Sequence, residues 1–164
     1  MITIAVTGHR PSKLGGYSPA AQTRLIAFAN TLVRDIVPRN FAVGQYITGM
    51  ALGWDMAIAE ACVANDIPFI AAVPCAGQSS VWPGPSQAQW NRLIERAARV
   101  EVLAPAYSPT CMNDRNHWMV DNSDHLLALW DGSHGGTANC VRYAQSRQHP
   151  LHNVWGAWQL HLSA

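Results

Sequence analysis

Residues 125–144, "HLLALWDGSHGGTANCVRYA", carry an apolar run to Trp130, a break at Asp131-Gly132, and Gly135-Gly136-Thr137 ahead of a helix-compatible stretch. Glycines and a hydroxyl residue at a helix start aim unpaired N–H groups and the positive end of the helix dipole at one spot. That chemistry holds an anion such as a phosphate. Thr137 can N-cap the helix and donate its hydroxyl to a phosphate oxygen. The spacing is neither Gly-x-Gly-x-x-Gly nor a Walker A loop, since no Gly-Lys-Ser/Thr follows. A turn with convenient glycines is the competing reading.

Three further loops could supply partners. In "TGHRPSKLGGY", Thr7 and Gly8 leave an apolar run and are followed at once by His9 and Arg10. Arg10 offers a planar, two-pronged cation for phosphate or carboxylate, or else pairs with a local Asp. In "TGMALGWDMAIAEA", Gly49, Met50 and Gly53 flank a tight turn, and Asp55 falls in the first turn of the next helix. Asp55 reads either as a dipole-favoured acid or as a carboxylate contacting a ribose hydroxyl or a base. "VPCAGQSSVWPGP" carries Gln78 and Trp82, the latter able to stack on a base or simply to pack locally. "CMNDRNHWMVDNSD" places Arg115, Asn116 and Asp121 in an otherwise apolar stretch, as a pocket wall or as a solvated helix.

These loops need a frame. Apolar β-rich runs at Ile2–Thr7, Gln45–Thr48, Pro68–Val73, Val100–Leu103 and Leu126–Trp130, with 151–155 as a sixth, are continuous rather than alternating. Strands covered on both faces look like this. Between them, Leu25, Ala29, Leu32 and Ile36 form one stripe of a helix over Ala20–Ile36, with Ser18 as N-cap and Pro19 at its first position. Gly53–Asn65 is a second helix. Ser86-Gln87-Ala88-Gln89 reads as a capping box opening a third that buries Trp90, Leu93, Ile94 and Ala97. Thr137–Ser146 is another. The expectation is α/β: one Rossmann-like, doubly wound, mainly parallel sheet of five to six strands with helices on both faces, in a single domain over 1–164. Ligands bind such sheets at the carboxyl edge, where strand order reverses.

Of the 164 residues 49% are hydrophobic and 13% charged, with a net charge of +1. Such a chain is globular, and without a basic run the charge argues against a nucleic-acid partner. Cys62, Cys75, Cys111 and Cys140 are far apart and form no Cys-x-x-Cys pair, so reduced thiols in a cytoplasmic protein are expected. The apolar part of "MITIAVTGHR" is too short for a signal peptide, and no run could span a membrane. His9, His117 and His134 match no standard metal spacing, and no Gly-x-Ser-x-Gly elbow is present. Neither a metal nor a cofactor is expected. The tail "NVWGAWQLHLSA", with Trp155, Trp158 and Leu160, packs on the core or forms an oligomer interface.

The ordered set "TGHRP", "ITGMALGWDMAIAEA", Pro-x-x-Gly-Gln at 74–78 and "RNHWMVDNSDHLLALWDGSHGGTANCVRYA" resembles the SLOG superfamily, in its YpsA-like branch, from Ile2 to about Arg147. The resemblance implies a Rossmann-like domain for nucleotides or nucleotide-derived ligands. Its relatives include the LOG phosphoribohydrolases, DprA proteins and sensors of NAD-derived signals. It maps a phosphate loop onto Gly135, Gly136 and Thr137, and a first glycine loop onto Thr7, Gly8, His9 and Arg10. One departure matters: LOG enzymes carry Pro-Gly-Gly-x-Gly-Thr-x-x-Glu, and Cys140 stands where that glutamate would be. The LOG mechanism therefore does not carry over unless Asp55, Glu60, Asp121 or Asp131 replaces it. The expected function is binding of a nucleotide or an NAD- or ADP-ribose-derived molecule, as a sensor or sequestering protein, in a dimer or tetramer. The alternative is an N-glycosidic hydrolase or transferase using Asp131, Asp121 or Asp55.

Overall fold

The computed structural model describes all residues, Met1–Ala164. Its strands are β1 (Ile2–Gly8), β2 (Val43–Thr48), β3 (Phe69–Val73), β4 (Arg99–Val102), β5 (His125–Leu129) and β6 (Leu151–Asn153). Its helices are α1 (Pro19–Thr31), α2 (Trp54–Ala64), α3 (Gly84–Arg96), α4 (Cys111–Asp121), α5 (Gly136–Ser146) and α6 (Trp155–Ser163). All six strands pair in parallel in the order β4-β3-β2-β1-β5-β6. The chain winds outward from β1 to β4, then returns to lay β5 on the other side of β1. Strand order thus reverses between β1 and β5, and the crevice of a doubly wound sheet opens at that point.

The apolar strands serve two cores at once. Ile4 and Val6 of β1, Tyr46 of β2, Phe69, Ala71 and Val73 of β3, and Leu127 and Leu129 of β5 pack on one face with α1, α2, Leu93 and Trp158. Ala5, Ile47, Ile70, Ala72 and Leu126, alternating with them, face α4 and α5. Period-2 alternation is present in space but invisible in the sequence, because both faces are covered. No helix is long and apolar enough to cross a membrane.

Several boundaries differ from the sequence expectation, each for a local reason. Ser18 does cap α1, accepting from the Ala21 N–H at 3.1 Å. The helix keeps α geometry only to Thr31, however, and then widens into a π-type turn over Leu32–Ile36. The 86–89 capping box does not form. Pro83 caps a helix that begins at Gly84, and Gln87 instead donates back to the Ser80 and Trp82 carbonyls. Of its four expected core residues only Leu93 is fully buried, with Trp90, Ile94 and Ala97 half-buried. Trp130 lies outside β5, where its N–H and carbonyl meet the Asn153 side chain. β6 stops at Asn153, and the Trp-rich tail is helical. Within it Trp158 is buried against Phe28 at 5.3 Å, while Leu160 stays exposed.

Candidate functional site

The loops leaving β1 and β5 border a cavity of about 310 Å3 at the strand-order reversal, with walls completed by the turn before α2 and one face of α4. Its floor and rim are polar, and only 3 of its 17 lining residues are hydrophobic.

One end of the cavity is the N-terminus of α5. Gly135 occupies the N-cap with no side-chain cap bond, and the helix begins at Gly136. Thr137 is therefore inside the first turn and does not cap it, contrary to the sequence expectation. Gly135 supplies no oxygen for the first-turn amides, so they and the helix dipole face the cavity without an internal acceptor from that side. Two cationic side chains share the lining. Arg10 is exposed and lines the cavity. The single turn Pro11–Lys13 brings Lys13 over the same space, where its ammonium contacts the Ser133 hydroxyl and lies 3.6 Å from Asp131.

Asp131 stands behind this rim, outside the cavity lining, and is tied up rather than free. It accepts from the Ser133 N–H at 2.9 Å and from the Ser133 hydroxyl. Those bonds, with His9 beside it, hold its carboxyl well below the usual range. His9 Nε2 lies 2.8 Å from Asp131 Oδ1 and 3.0 Å from the Asp131 N–H. One nitrogen serves one of these at a time, according to tautomer. Burial lowers the His9 pKa while Asp131 opposes that shift.

The floor is built by α2 and α4. Gly53, the N-cap of α2, has φ +94°, and a Cβ there would stand 2.6 Å from the His9 carbonyl oxygen. Only glycine lets the two loops touch, and the contact delivers Asp55 to the cavity. Asp55 is 6% exposed. Its Oδ2 accepts from the Ala51 N–H at 3.3 Å, and its buried Oδ1 has no partner. Burial raises its pKa to about 6, against the opposing pull of Arg115. Arg115, also buried, spends its donors elsewhere: on the Gly49 carbonyl, on the Ala72 carbonyl at 3.3 Å, and on Asn116 Oδ1 at 2.9 Å. Burial lowers its pKa, with Asp55 opposing.

The structure thus gathers Thr7, Gly8, His9, Arg10, Asp55, Arg115, Asn116, Gly135, Gly136 and Thr137 around one cavity. Other expected site residues lie outside its lining. Gln78 is buried, donating to the Gly49 carbonyl and accepting from Trp90 Nε1, both at 3.0 Å. Trp82 packs against the core instead of offering a stacking face. Met50 is buried in that core with φ 58°. Gly49 and Gly53 shape the floor through their backbones, and Gly132 forms the turn that brings Ser133 to Asp131. Among the carboxylates, Asp121 binds the Tyr143 hydroxyl at 2.8 Å and Glu60 pairs with Arg92. Neither borders the cavity. Cys140 is fully buried and its thiol is pushed up to about 11 by burial, so it supplies no nucleophilic thiolate there. His117 stacks on Tyr143 at 3.8 Å, away from His9.

Ser12, Lys13, Ala51, Met112, Ser133 and Ala138 also line the cavity and were not singled out in the sequence. Lys13 had a legible signal, three residues after Arg10 across a proline that favours one tight turn. His134, weighed in the sequence only as a metal ligand, borders the cavity and contacts Arg142.

A family model described as the YspA SLOG family matches residues 4–161. The chain is 33% identical over 129 residues to the SPbeta prophage-derived protein YoqJ of Bacillus subtilis, covering 68% of this chain and 74% of that one. It is 27% identical over 154 residues to the UPF0398 protein YpsA of the same organism, covering 84% and 80%. Among solved structures, DNA processing protein A of Helicobacter pylori superimposes with TM-score 0.61 at 19% identity, over 92% of this chain and 63% of that one. DprA of Streptococcus pneumoniae does so with TM-score 0.61 at 14% identity, over 92% and 49%. The chain therefore spans about half to two thirds of these DprA chains, and at such identities the likeness is one of fold. The Helicobacter structure is described by its single-stranded DNA binding mode. That finding overturns the argument from near-neutral charge against a nucleic-acid partner: net charge over a whole chain says little about the charge of one local cleft.

Proposed function

The chain belongs to the YspA SLOG family, and from that membership we propose that it binds a nucleotide or an NAD- or ADP-ribose-derived molecule at the carboxyl edge of its sheet, as a sensor or sequestering protein. One observation carries the reading. The uncapped N-terminus of α5 shares a cavity with Arg10 and Lys13 at the strand-order reversal. Backbone donors and two cationic side chains lining one cavity suit a phosphate group that is anionic on several sides. A nucleic-acid strand carries the same phosphate–sugar unit, and the DprA likeness in fold makes an oligonucleotide a second source of it.

The test is calorimetric titration with pyrophosphate, nucleotides, ADP-ribose and a single-stranded oligonucleotide, each against the wild-type protein and Gly136→Asp. A Cβ at Gly136 meets nothing within 4 Å, and an acid in the first turn suits the helix dipole, so the variant should fold normally. Its carboxylate would compete for the phosphate position, and affinity should fall at least tenfold. Undiminished affinity in the variant removes the phosphate assignment.

A second reading is cleavage or transfer at an N-glycosidic bond. Asp55 favours it, as the one carboxylate of the four considered that borders the cavity. A free base appearing on chromatography after prolonged incubation would support it, and every ligand recovered intact would dismiss it.

A further inference from the structure

The phosphate reading leaves Asp55 without a contact to the ligand, although it is a buried carboxylate in the cavity wall. Its carboxylate is more than nine-tenths buried and the residue lines the cavity; Oδ2 takes only the 3.3 Å bond from the Ala51 N–H, and Oδ1, closed off from the open space, has no donor at all. The protein has donors near by and directs them away from it. Arg115 Nη1 turns to two backbone carbonyls, Nε to Asn116 and Nη2 to the Met112 sulfur at 3.9 Å. Thr48 gives its hydroxyl to the Asp55 carbonyl, not to the carboxylate. A carboxylate this short of donors is stabilised by one that arrives with the ligand and meets the side of it that borders the cavity.

We propose that Asp55 accepts a hydrogen bond from a sugar hydroxyl of the bound nucleotide, so that the site selects ligands carrying a free 2′- or 3′-hydroxyl. This rests on the phosphate assignment above. With phosphate held at the α5 N-terminus, the pentose is the next group along the ligand and the first to bring hydroxyls. Asp55 lies across the same cavity, on the wall formed by α2. A carboxylate takes only donors, and a hydroxyl is the donor every nucleotide offers whatever its base. A free ribonucleotide and the 3′ end of a nucleic-acid strand share this chemistry.

The experiment compares each of ATP, GTP, CTP and UTP with its 2′-deoxy, 3′-deoxy and 2′,3′-dideoxy forms by calorimetric titration of the full chain at pH 8, with pyrophosphate in parallel. The dideoxy form should bind roughly 10- to 100-fold more weakly than its parent, the range for a hydrogen bond to a charged group. One single-deoxy form should carry most of that loss. Loss with the 2′-deoxy form identifies a ribonucleotide, and loss with the 3′-deoxy form admits a strand terminus as well. In Asp55→Ala the gap should close while pyrophosphate binds at least as tightly as it does to the wild-type protein, since a carboxylate has left the cavity wall. Dideoxy forms binding as tightly as their parents overturn the proposal. Nucleotides binding while pyrophosphate does not, with Gly136→Asp inert, sinks the phosphate assignment instead. No nucleotide binding at all sinks both.

Discussion

Replacing Asp55 by Asn tests whether a buried charge is retained in this protein against its own stability. Burial raises the Asp55 carboxyl from the ordinary 3.8 to about 6, after the opposing attraction of Arg115 and the Ala51 N–H and the weaker pull of Arg10. The folded state therefore holds this proton more tightly than the unfolded chain does. The stabilisation of the protonated form is full below about pH 4 and is lost as pH rises through about 6. At about 1.4 kcal/mol per pH unit, ionisation costs the folded state roughly 3 kcal/mol above that window. Asn has nearly the same shape, can still accept from Ala51 and never ionises. The stability of Asp55→Asn relative to wild type should thus grow by about 3 kcal/mol between pH 4 and pH 8. For a chain of this length that is a gain of roughly 6–12 °C in Tm. Urea unfolding of both proteins at several pH values measures it, and the difference between them cancels other titrating groups such as His9. A difference that does not change with pH, or a variant that loses ground at pH 8, would refute the reasoning. Asp55 would then be a structural partner of Arg115, and its burial would imply no ligand.

Two further outcomes follow from packing. In Gly8→Ala the new Cβ would stand 2.4, 2.6 and 2.7 Å from Cδ1, Cγ and Cβ of the fully buried Trp54. A rotamer change cannot relieve a clash that includes Cβ, so a loss of about 3 kcal/mol or more and a Tm lower by roughly 10 °C are expected; a variant as stable as wild type would mean the β1–α2 contact is looser than described. All four cysteines are buried, and burial pushes the Cys62 and Cys140 thiols up to about 12 and 11. A thiol reagent should therefore titrate none of them rapidly in the folded protein and all four in denaturant. Fast modification of Cys140 would contradict its assignment as an inert core residue.

Local chemistry and periodicity in the sequence determined the framework. Continuous apolar runs separated by helical stretches specify strands covered on both faces, and β1, β2, β3 and β5 lie within a residue or two of the expected bounds. Ser18-Pro19 marks the start of α1 because capping depends on immediate neighbours alone. The glycine-led start of α5 was legible for the same reason. Where a boundary depended on distant contacts the sequence was silent: β5 yields Trp130 to Asn153, 23 residues away, and the 86–89 box loses to Pro83.

Which polar residues share the cavity was decided by tertiary structure. Asp55, Asp121, Asp131 and Glu60 are equivalent as letters. One is buried with an unpaired oxygen, one organises a rim through Ser133 and His9, and two pair with Tyr143 and Arg92 elsewhere. Nothing local separates them, because a carboxylate's role depends on burial and on donors brought from loops far apart in the chain. The strand order that sets β5 beside β1 brings Asp131 to His9, 122 residues distant. Loop chemistry announced polar, glycine-rich turns at the carboxyl edge; the crossover of the sheet determined which side chains share a cavity there.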